Sequence, residues 1–396
     1  TDEINDYLVK NNKSIIVVGN TKKTLGELAK YKRSLFFSPV VAITGSAGKT
    51  STKDMIYSVL KEKYKAYKTC GNKNNHIGLP LTILSMDASS EILVLEMGMN
   101  HFGEISLLTS IAKPTICIIT NIGTSHIGNL GSRENILKAK LEILEGCENP
   151  VVIINNDNDL LHNWYEENKD KLNIKTYGIK EKSDLNAKNI KLESSNSKFD
   201  LKLNGKEETI NVPVGGEHFI LNSLCAAMVG KVLKIDNQKI KEGIESFELT
   251  KKRMDITELE NGVKVINDAY NASLESMKAS LGVLSEFKEN RKIAILGDMF
   301  ELGKYSKELH KKVGEEVIKN KIDILICSGT NSKYIIEKAK EKMKDENVYY
   351  LENKEEILEV LKEVIKPGDV VLLKASNGMK FYELAERMIS LWKKKD

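Results

Sequence analysis

The sequence predicts an α/β protein in which two mostly parallel sheets follow one another: a central P-loop-type nucleotide domain, then a Rossmann-like domain. Three observations lead there. Short, continuously apolar runs recur between residues 39 and 155, each followed by a helix-period segment. A second series of the same alternation runs from Val263 toward the end of the chain. A glycine loop ending in Lys49, Thr50 and Ser51 stands at the end of the first apolar run. Continuous apolar strands are what a sheet buried on both faces requires. The 396 residues exceed what one core accommodates, so two or three domains are expected.

Taken in order, residues 1–38 read as a short helix, a strand "SIIVVGN" and a helix "TLGELAKYKR". That is too little to bury a core of its own, and it reads as the remnant of a larger N-terminal unit. From Pro39, "VVAIT", a helix from Lys49, "EILVLEMG", "TICIIT", a helix "ENILKAKLEIL" and "VVIIN" build one sheet. Between 184 and 214, "KFDLKLNG" and "ETINVPV" alternate as antiparallel strands do, with Asn204-Gly205 as the turn. Helices "EHFILNSLCAAMVGKVL" and "NQKIKEGIESF" close this domain at about 247. The chain changes character at "ELTKKRMD". Strands "VKVIND", "KIAILGD", "DILICSG", "NVYYL" and "DVVLLKAS" then alternate with helices over 248–396, the pattern of a doubly wound sheet with right-handed crossovers.

Composition narrows the function classes. There are 60 Lys and Arg against 56 Asp and Glu, a net charge of +4 with the signs interspersed. Neither a nucleic-acid surface nor a membrane surface is expected from that balance. Five cysteines, an odd number without a C-x-x-C pair, read as reduced core thiols in a reducing compartment. No apolar run approaches the ~18 residues of a membrane span. Residues 1–20 carry no basic segment followed by an apolar one. A soluble, cytoplasmic protein, monomeric and without membrane insertion, is the expectation.

The loop "TGSAGKTST" places Gly45, Ser46, Ala47, Gly48, Lys49, Thr50 and Ser51 between a strand and a helix N-terminus. Free N–H groups there suit phosphate oxygens, and a hydroxyl after the lysine suits Mg²⁺. Two residues separate the glycines where the common loop has four. Glu96 ends a parallel-type strand, where a carboxylate could face the same crevice and hold Mg²⁺. His126 follows the strand "TICIITNIG"; a lone histidine is more often structural. Lys140 lies among apolar residues on a helix, where lysines are mostly solvated. Asn222 is polar amid apolar neighbours, and Arg253 stands at the domain junction with a fork of donors for phosphate. Asp268, Tyr270 and Asn271 end the first strand of the second sheet, and Lys374 and Ser376 end its last. Polar strand ends on two α/β domains imply a cleft that closes on substrates.

In order, "TGSAGKTST", "NKNNHIGLPLTIL", "LEMGMNHFGEI", "TNIGTSHIGNLGSRENILKAKLEI", "GEHFILNSLCAA", "KRMDI", "INDAYNASLESM" and "LGDMFELG" resemble the motifs of the Mur ligases. The resemblance covers nearly the whole chain. It implies an ATP-dependent amide-bond ligase with a UDP-sugar domain, a central ATPase domain and a C-terminal Rossmann-like domain. It implies that Lys49 contacts the β and γ phosphates, that Thr50 and Glu96 hold one Mg²⁺, and that His126 stands at a second. Lys140 matches a lysine often carbamylated in the family, and Asn222 and Arg253 match nucleotide contacts, with Asp268 their partner. Asn74, Asn75, Tyr270, Asn271, Lys374 and Ser376 fall on the substrate side.

Within the family the match runs to the branch that joins D-alanyl-D-alanine to UDP-N-acetylmuramoyl-tripeptide in cell-wall synthesis. The diamino-acid-adding branch would carry a D-x-P-R motif and D-Y-A-H, and folylpolyglutamate synthases lack the "GDMFELG" segment. Departures are "NASL" at 271–274 where N-A-N-P is usual, His76 in place of a glutamate and Leu141 in place of a glycine. The UDP-binding domain would be about twice as long as the segment before Pro39. The rival readings are another Mur-type ligase, a phosphotransferase, and a nucleotide switch without catalysis.

Overall fold

The computed structural model describes residues 16–392. In chain order, the first unit places β1 (Val40–Thr44), β2 (Ala66–Lys68), β3 (Ile92–Glu96), β4 (Ile116–Ile119), β5 (Val151–Asn155), β6 (Ile174–Gly178), β7 (Leu185–Leu192), β8 (Ser197–Leu203) and β9 (Lys206–Val212). They form one nine-stranded sheet in the order β2-β3-β1-β4-β5-β6-β7-β8-β9. Pairing is parallel through β7, and β7-β8-β9 close the sheet as antiparallel hairpins. Every residue of β1, β3 and β4 is buried, which is why these strands read as unbroken apolar runs. β8 instead alternates buried with exposed positions, and the Asn204-Gly205 turn joins it to β9 with positive φ at both residues.

The helix Thr21–Ser34 lies against this unit. Lys32 Nζ donates to Leu84 O at 2.9 Å and Met86 O at 2.7 Å, and Arg33 Nε to Ala112 O at 2.6 Å. The expected strand "SIIVVGN" is not observed where it can be judged: residues 16–20 are irregular, and Asn20 serves as the N-cap of the helix. The remainder of that strand, and the short helix before it, lie outside the described residues.

The second unit holds β10 (Asp255–Glu258), β11 (Lys264–Asn267), β12 (Lys292–Gly297), β13 (Ile324–Ser328), β14 (Val348–Leu351) and β15 (Val370–Lys374), in the order β10-β11-β15-β12-β13-β14. Only β10 runs antiparallel. The strand ending at Asp268 is therefore the second of this sheet, not the first. β10 escaped the pattern because it is a four-residue edge strand without a fully buried position. The departure "NASL" has a structural answer: Ser273 caps the helix Leu274–Ser285 in a reciprocal box with Ser276, so the turn is made without proline.

Cys117, Cys225 and Cys327 are buried thiols as expected, whereas Cys70 is exposed and Cys147 half-buried. Among the described residues no helix is long and apolar enough to cross a membrane.

Candidate active site

The carboxyl ends of β1, β3 and β4 and those of β11 and β15 line one cleft of about 570 Å³. Its floor is the loop after β1. A side chain at Gly45 would stand 1.9 Å from Thr120 Oγ1, and Gly48 caps the helix Lys49–Leu60 at φ 79°, so both positions need glycine. The segment after β4 pins this loop from the neighbouring strand. Ala47 N donates to Asn121 Oδ1 at 2.9 Å, and Thr120 Oγ1 donates to Ala47 O at 2.8 Å. Lys49 Nζ donates to Gly45 O at 2.7 Å. Burial lowers the Lys49 pKa, opposed by the Glu96 carboxylate.

Thr50 Oγ1 donates to Glu96 Oε2 at 2.9 Å, and Asn74 Nδ2 holds the other carboxylate oxygen at 2.8 Å. Behind them the buried Lys53 ammonium, 4.0 Å from Glu96 Oε2, donates to Thr69 O at 2.8 Å. Arg253 reaches in from the junction between the units: Nη2 donates to Thr50 Oγ1 at 3.0 Å while the guanidinium stacks 4.1 Å from the centre of the Tyr270 ring. Asn222 Oδ1 accepts from Thr52 Oγ1 at 2.9 Å, and its Nδ2, though buried, has no partner. A buried donor left unpaired beside a phosphate loop is suited to a nucleotide oxygen or ring nitrogen.

Lys140 is 2% exposed, and its Nζ has neither acceptor nor carboxylate partner among the described residues. Burial first, and the Lys49 charge second, push its pKa well below the ordinary lysine value. It is not part of the cleft lining but lies behind it. His126 lines the cleft with Nδ1 2.5 Å from Glu301 Oε2, and that contact holds the Glu301 carboxyl below its usual range.

On the opposite wall Asp268 is fully engaged within its own unit. Its Oδ2 meets Lys374 Nζ at 2.5 Å and Ser280 Oγ at 2.6 Å, and its Oδ1 accepts from Met254 N at 3.2 Å. Lys374 Nζ also donates to Asn271 O at 3.1 Å. Asn75 lines the cleft, but its Oδ1 caps the turn into the helix Gly78–Leu84 through Ile77 N and Gly78 N. Ser376 is not brought to the cleft: it is buried, and its Oγ accepts from Phe300 N at 2.9 Å. The expectation of Ser376 at the substrate is replaced by a role in holding the loop after β12.

Sequence reading missed four residues that the fold delivers here. His218 lines the cleft, with a pKa lowered to about 4 by burial, an effect that Asp268 opposes and Lys374 reinforces. Lys53 backs Glu96, and Glu275 and Glu301 cross from the second unit to the loop bearing His126. Glu301, His218 and Glu275 carried a sequence signal, through the segments "GDMFELG", "GEHFILN" and "INDAYNASLESM", whereas Lys53 carried none.

Among the described residues no group of three or more His, Cys, Asp or Glu side chains could hold a metal unaided. Mg²⁺ is usually held by one or two carboxylates together with substrate phosphates, and the Thr50–Glu96 pair fits that demand. His126 and Lys140 do not fit a cation as they stand, because a lysine amine brings no negative charge to it.

A phosphate loop facing the polar strand ends of a second α/β unit defines a nucleotide-dependent enzyme of two cooperating domains. Comparison with known proteins gives the family. Residues 43–230 match the Mur ligase middle domain, and residues 252–377 match the Mur ligase, glutamate ligase domain. The UDP-N-acetylmuramoyl-tripeptide–D-alanyl-D-alanine ligase of Bacillus subtilis is 39% identical over 380 residues, 96% of this chain and 82% of that protein. MurF from Thermotoga maritima, solved in complex with ADP, superposes with a TM-score of 0.84 at 31% identity, covering 96% of this chain and 86% of the other. MurF from Acinetobacter baumannii superposes with a TM-score of 0.87 at 28% identity, covering 95% and 82%. The chain belongs to the Mur ligase family.

Proposed function

We propose that this enzyme joins D-alanyl-D-alanine to UDP-N-acetylmuramoyl-tripeptide with ATP, through an acyl phosphate, in cytoplasmic peptidoglycan precursor synthesis. The observation that carries the reading is Arg253 Nη2 at 3.0 Å from Thr50 Oγ1, itself 2.9 Å from Glu96 Oε2. A guanidinium from the domain junction thus meets the phosphate loop at its Mg²⁺ hydroxyl. The proposed division is an ATP domain over 39–247 and a ligase domain over 248–396.

The tripeptide carboxylate attacks the γ-phosphorus of ATP, ADP leaves, and the dipeptide amine then displaces phosphate from the acyl carbon through a tetrahedral intermediate. Bringing two anions together is the barrier, so positioned cations provide most of the catalysis. Lys49 and Arg253 place positive charge on the phosphates, and Asn222 Nδ2 supplies a donor to the nucleotide. Thr50 and Glu96 would hold a Mg²⁺ that neutralises phosphate charge, and His126 with carbamylated Lys140 would hold a second. Lys140 suits that modification because burial favours the neutral amine. Its nitrogen attacks carbon dioxide and loses a proton, leaving a carbamate anion. Asn74, Tyr270, Asn271 and Lys374 lie on the walls where substrate would be held. Docking of the units shields the acyl phosphate from water.

The test is product analysis. ADP and free phosphate should appear only when nucleotide tripeptide and D-alanyl-D-alanine are both present. ATP turnover indifferent to the dipeptide would favour a phosphotransferase instead.

A further inference from the structure

The loop after β4 is held from two sides. From the first unit, Arg133 Nη2 and Asn158 Nδ2 both donate to Ile122 O, at 2.8 and 3.1 Å, and Gly123 N donates to Ser46 Oγ at 2.9 Å. From the second unit, Glu275 Oε1 accepts from Thr124 N at 2.8 Å and Oε2 from Thr124 Oγ1 at 3.2 Å. Glu301 contributes its carboxylate to His126 Nδ1 at 2.5 Å and its carbonyl to Gly128 N at 3.0 Å, and Tyr305 OH donates to Gly131 O at 2.5 Å. These hydrogen bonds and the ion pair from the second unit to this loop fall on residues 124–131, the stretch containing His126.

Two further observations set this apart from an ordinary interface. His126 and Glu301 both have φ of 63°, a left-handed conformation rare outside glycine, and they meet each other across the interface. Such backbone persists where its surroundings over-determine it. The approach is also close: a Cβ at Gly128 would stand 2.6 Å from Glu301 O and 2.7 Å from Gly303 N. The fit leaves no room for a methyl group.

We infer that Glu275 and Glu301 are positioning residues, through which the docked second unit fixes the backbone and ring of His126. The inference rests on the reading of His126 as a metal-side histidine. The Glu301 carboxylate, 2.5 Å from Nδ1, holds that side of the ring and leaves Nε2 as the nitrogen free for a ligand. The same two acidic residues make that arrangement conditional on docking, because both belong to the other unit. Nucleotide held on the first unit alone would therefore meet an incompletely ordered His126 loop.

The experiment compares the full chain with Gly128→Ala, Glu275→Ala, Glu275→Gln and Glu301→Gln, by small-angle X-ray scattering with Mg-ADP and by steady-state kinetics. Gly128→Ala removes no polar group, yet it should enlarge the radius of gyration and lower kcat by about 10²-fold, the scale of a small misplacement at a reacting centre. KM for ATP should move less than about threefold, because the phosphate loop is untouched. Glu275→Ala should behave likewise, and Glu275→Gln, which keeps an acceptor for Thr124 N, should recover most of the loss. Glu301→Gln should lower kcat with the radius unchanged. Melting by circular dichroism separates these effects from misfolding; if Gly128→Ala does not fold, the Glu275 pair decides alone. Wild-type compactness and kcat in both Gly128→Ala and Glu275→Ala overturn the inference, as does equal loss in Glu275→Gln and Glu275→Ala with no change in scattering. Absence of dipeptide-dependent turnover in the wild type would instead sink the ligase reading, and the scattering comparison would still decide the docking.

Discussion

The two walls of the cleft handle buried polarity in opposite ways. The buried side-chain polar atoms without a hydrogen bond among the described residues are Thr44 Oγ1, His126 Nδ1, Asn196 Oδ1 and Asn222 Nδ2, and all belong to the first unit. Asn222 and His126 line the cleft, with Glu301 2.5 Å from His126 Nδ1, Thr44 precedes the phosphate loop, and the buried Lys140 amine lies behind it. In the second unit the buried carboxylates all have partners: Asp268 pairs with Lys374 at 2.5 Å, Asp369 with the half-buried Arg291 at 2.6 Å, and Asp298 accepts from Asn331 N at 2.9 Å and Ser332 N at 2.7 Å. An unmatched buried group costs more stability than one whose partner offsets part of its desolvation. One wall is thus left unsatisfied where a ligand would complete it, and the other is a pre-formed jaw that keeps its shape unaided.

Four substitutions, in three tests, bear on that contrast. The largest effect is expected at Lys140. Lys140→Met should lower turnover by about 10³-fold, since it removes the anion proposed at the second metal. It should nonetheless raise the melting temperature in bicarbonate-free buffer, because a buried amine, which burial penalises whether charged or neutral, gives way to an apolar chain of similar length. A variant that melts lower than wild type would show that Lys140 is satisfied after all.

Next comes the matched wall. Asp268→Asn leaves the Lys374 ammonium buried opposite a neutral amide and should cost about 3–5 kcal/mol in urea unfolding, with Lys374→Met added to it restoring much of that loss. Additive losses in the double variant would dissolve the pair as a unit.

The smallest effect concerns His218, whose folded-state pKa of about 4 lies below the ordinary 6.5. As pH falls, the unfolded chain takes up this proton first. The contribution of a neutral buried imidazole is therefore complete above about pH 6.5 and is lost progressively down to about pH 4, by at most about 3 kcal/mol. His218→Phe should flatten the stability profile across that window. An unchanged profile would place the acid sensitivity in other groups.

Much of the fold was legible because its signals are local. An apolar pentamer such as "VVAIT" between turn residues can be little other than a doubly buried strand, and the loop after it announces phosphate by its glycines and lysine. The fold class read in this way agrees with the two sheets observed. The edge strand Asp255–Glu258 was missed because four residues, three half-buried and one exposed, show no alternation to stand out. For the site, Lys49, Thr50 and Glu96 were readable from their strand-end positions, and the fold places Thr50 and Glu96 within hydrogen-bonding distance. Lys140 illustrates the limit. Its helix looks like any amphipathic helix in sequence, and only burial, together with the approach of Lys49, makes its amine exceptional.

By itself, then, the sequence determined the strands, the helices between them and the phosphate loop, since each depends on neighbours a few positions away. Tertiary structure alone decided which charges are paired and which are left waiting. Glu275 stands 151 positions from Thr124, and Lys374 stands 106 from Asp268, so no local pattern could announce either contact. Whether a buried charge is neutralised depends on what the other unit brings within about 4 Å, the range over which such pairs attract strongly in a low-dielectric interior.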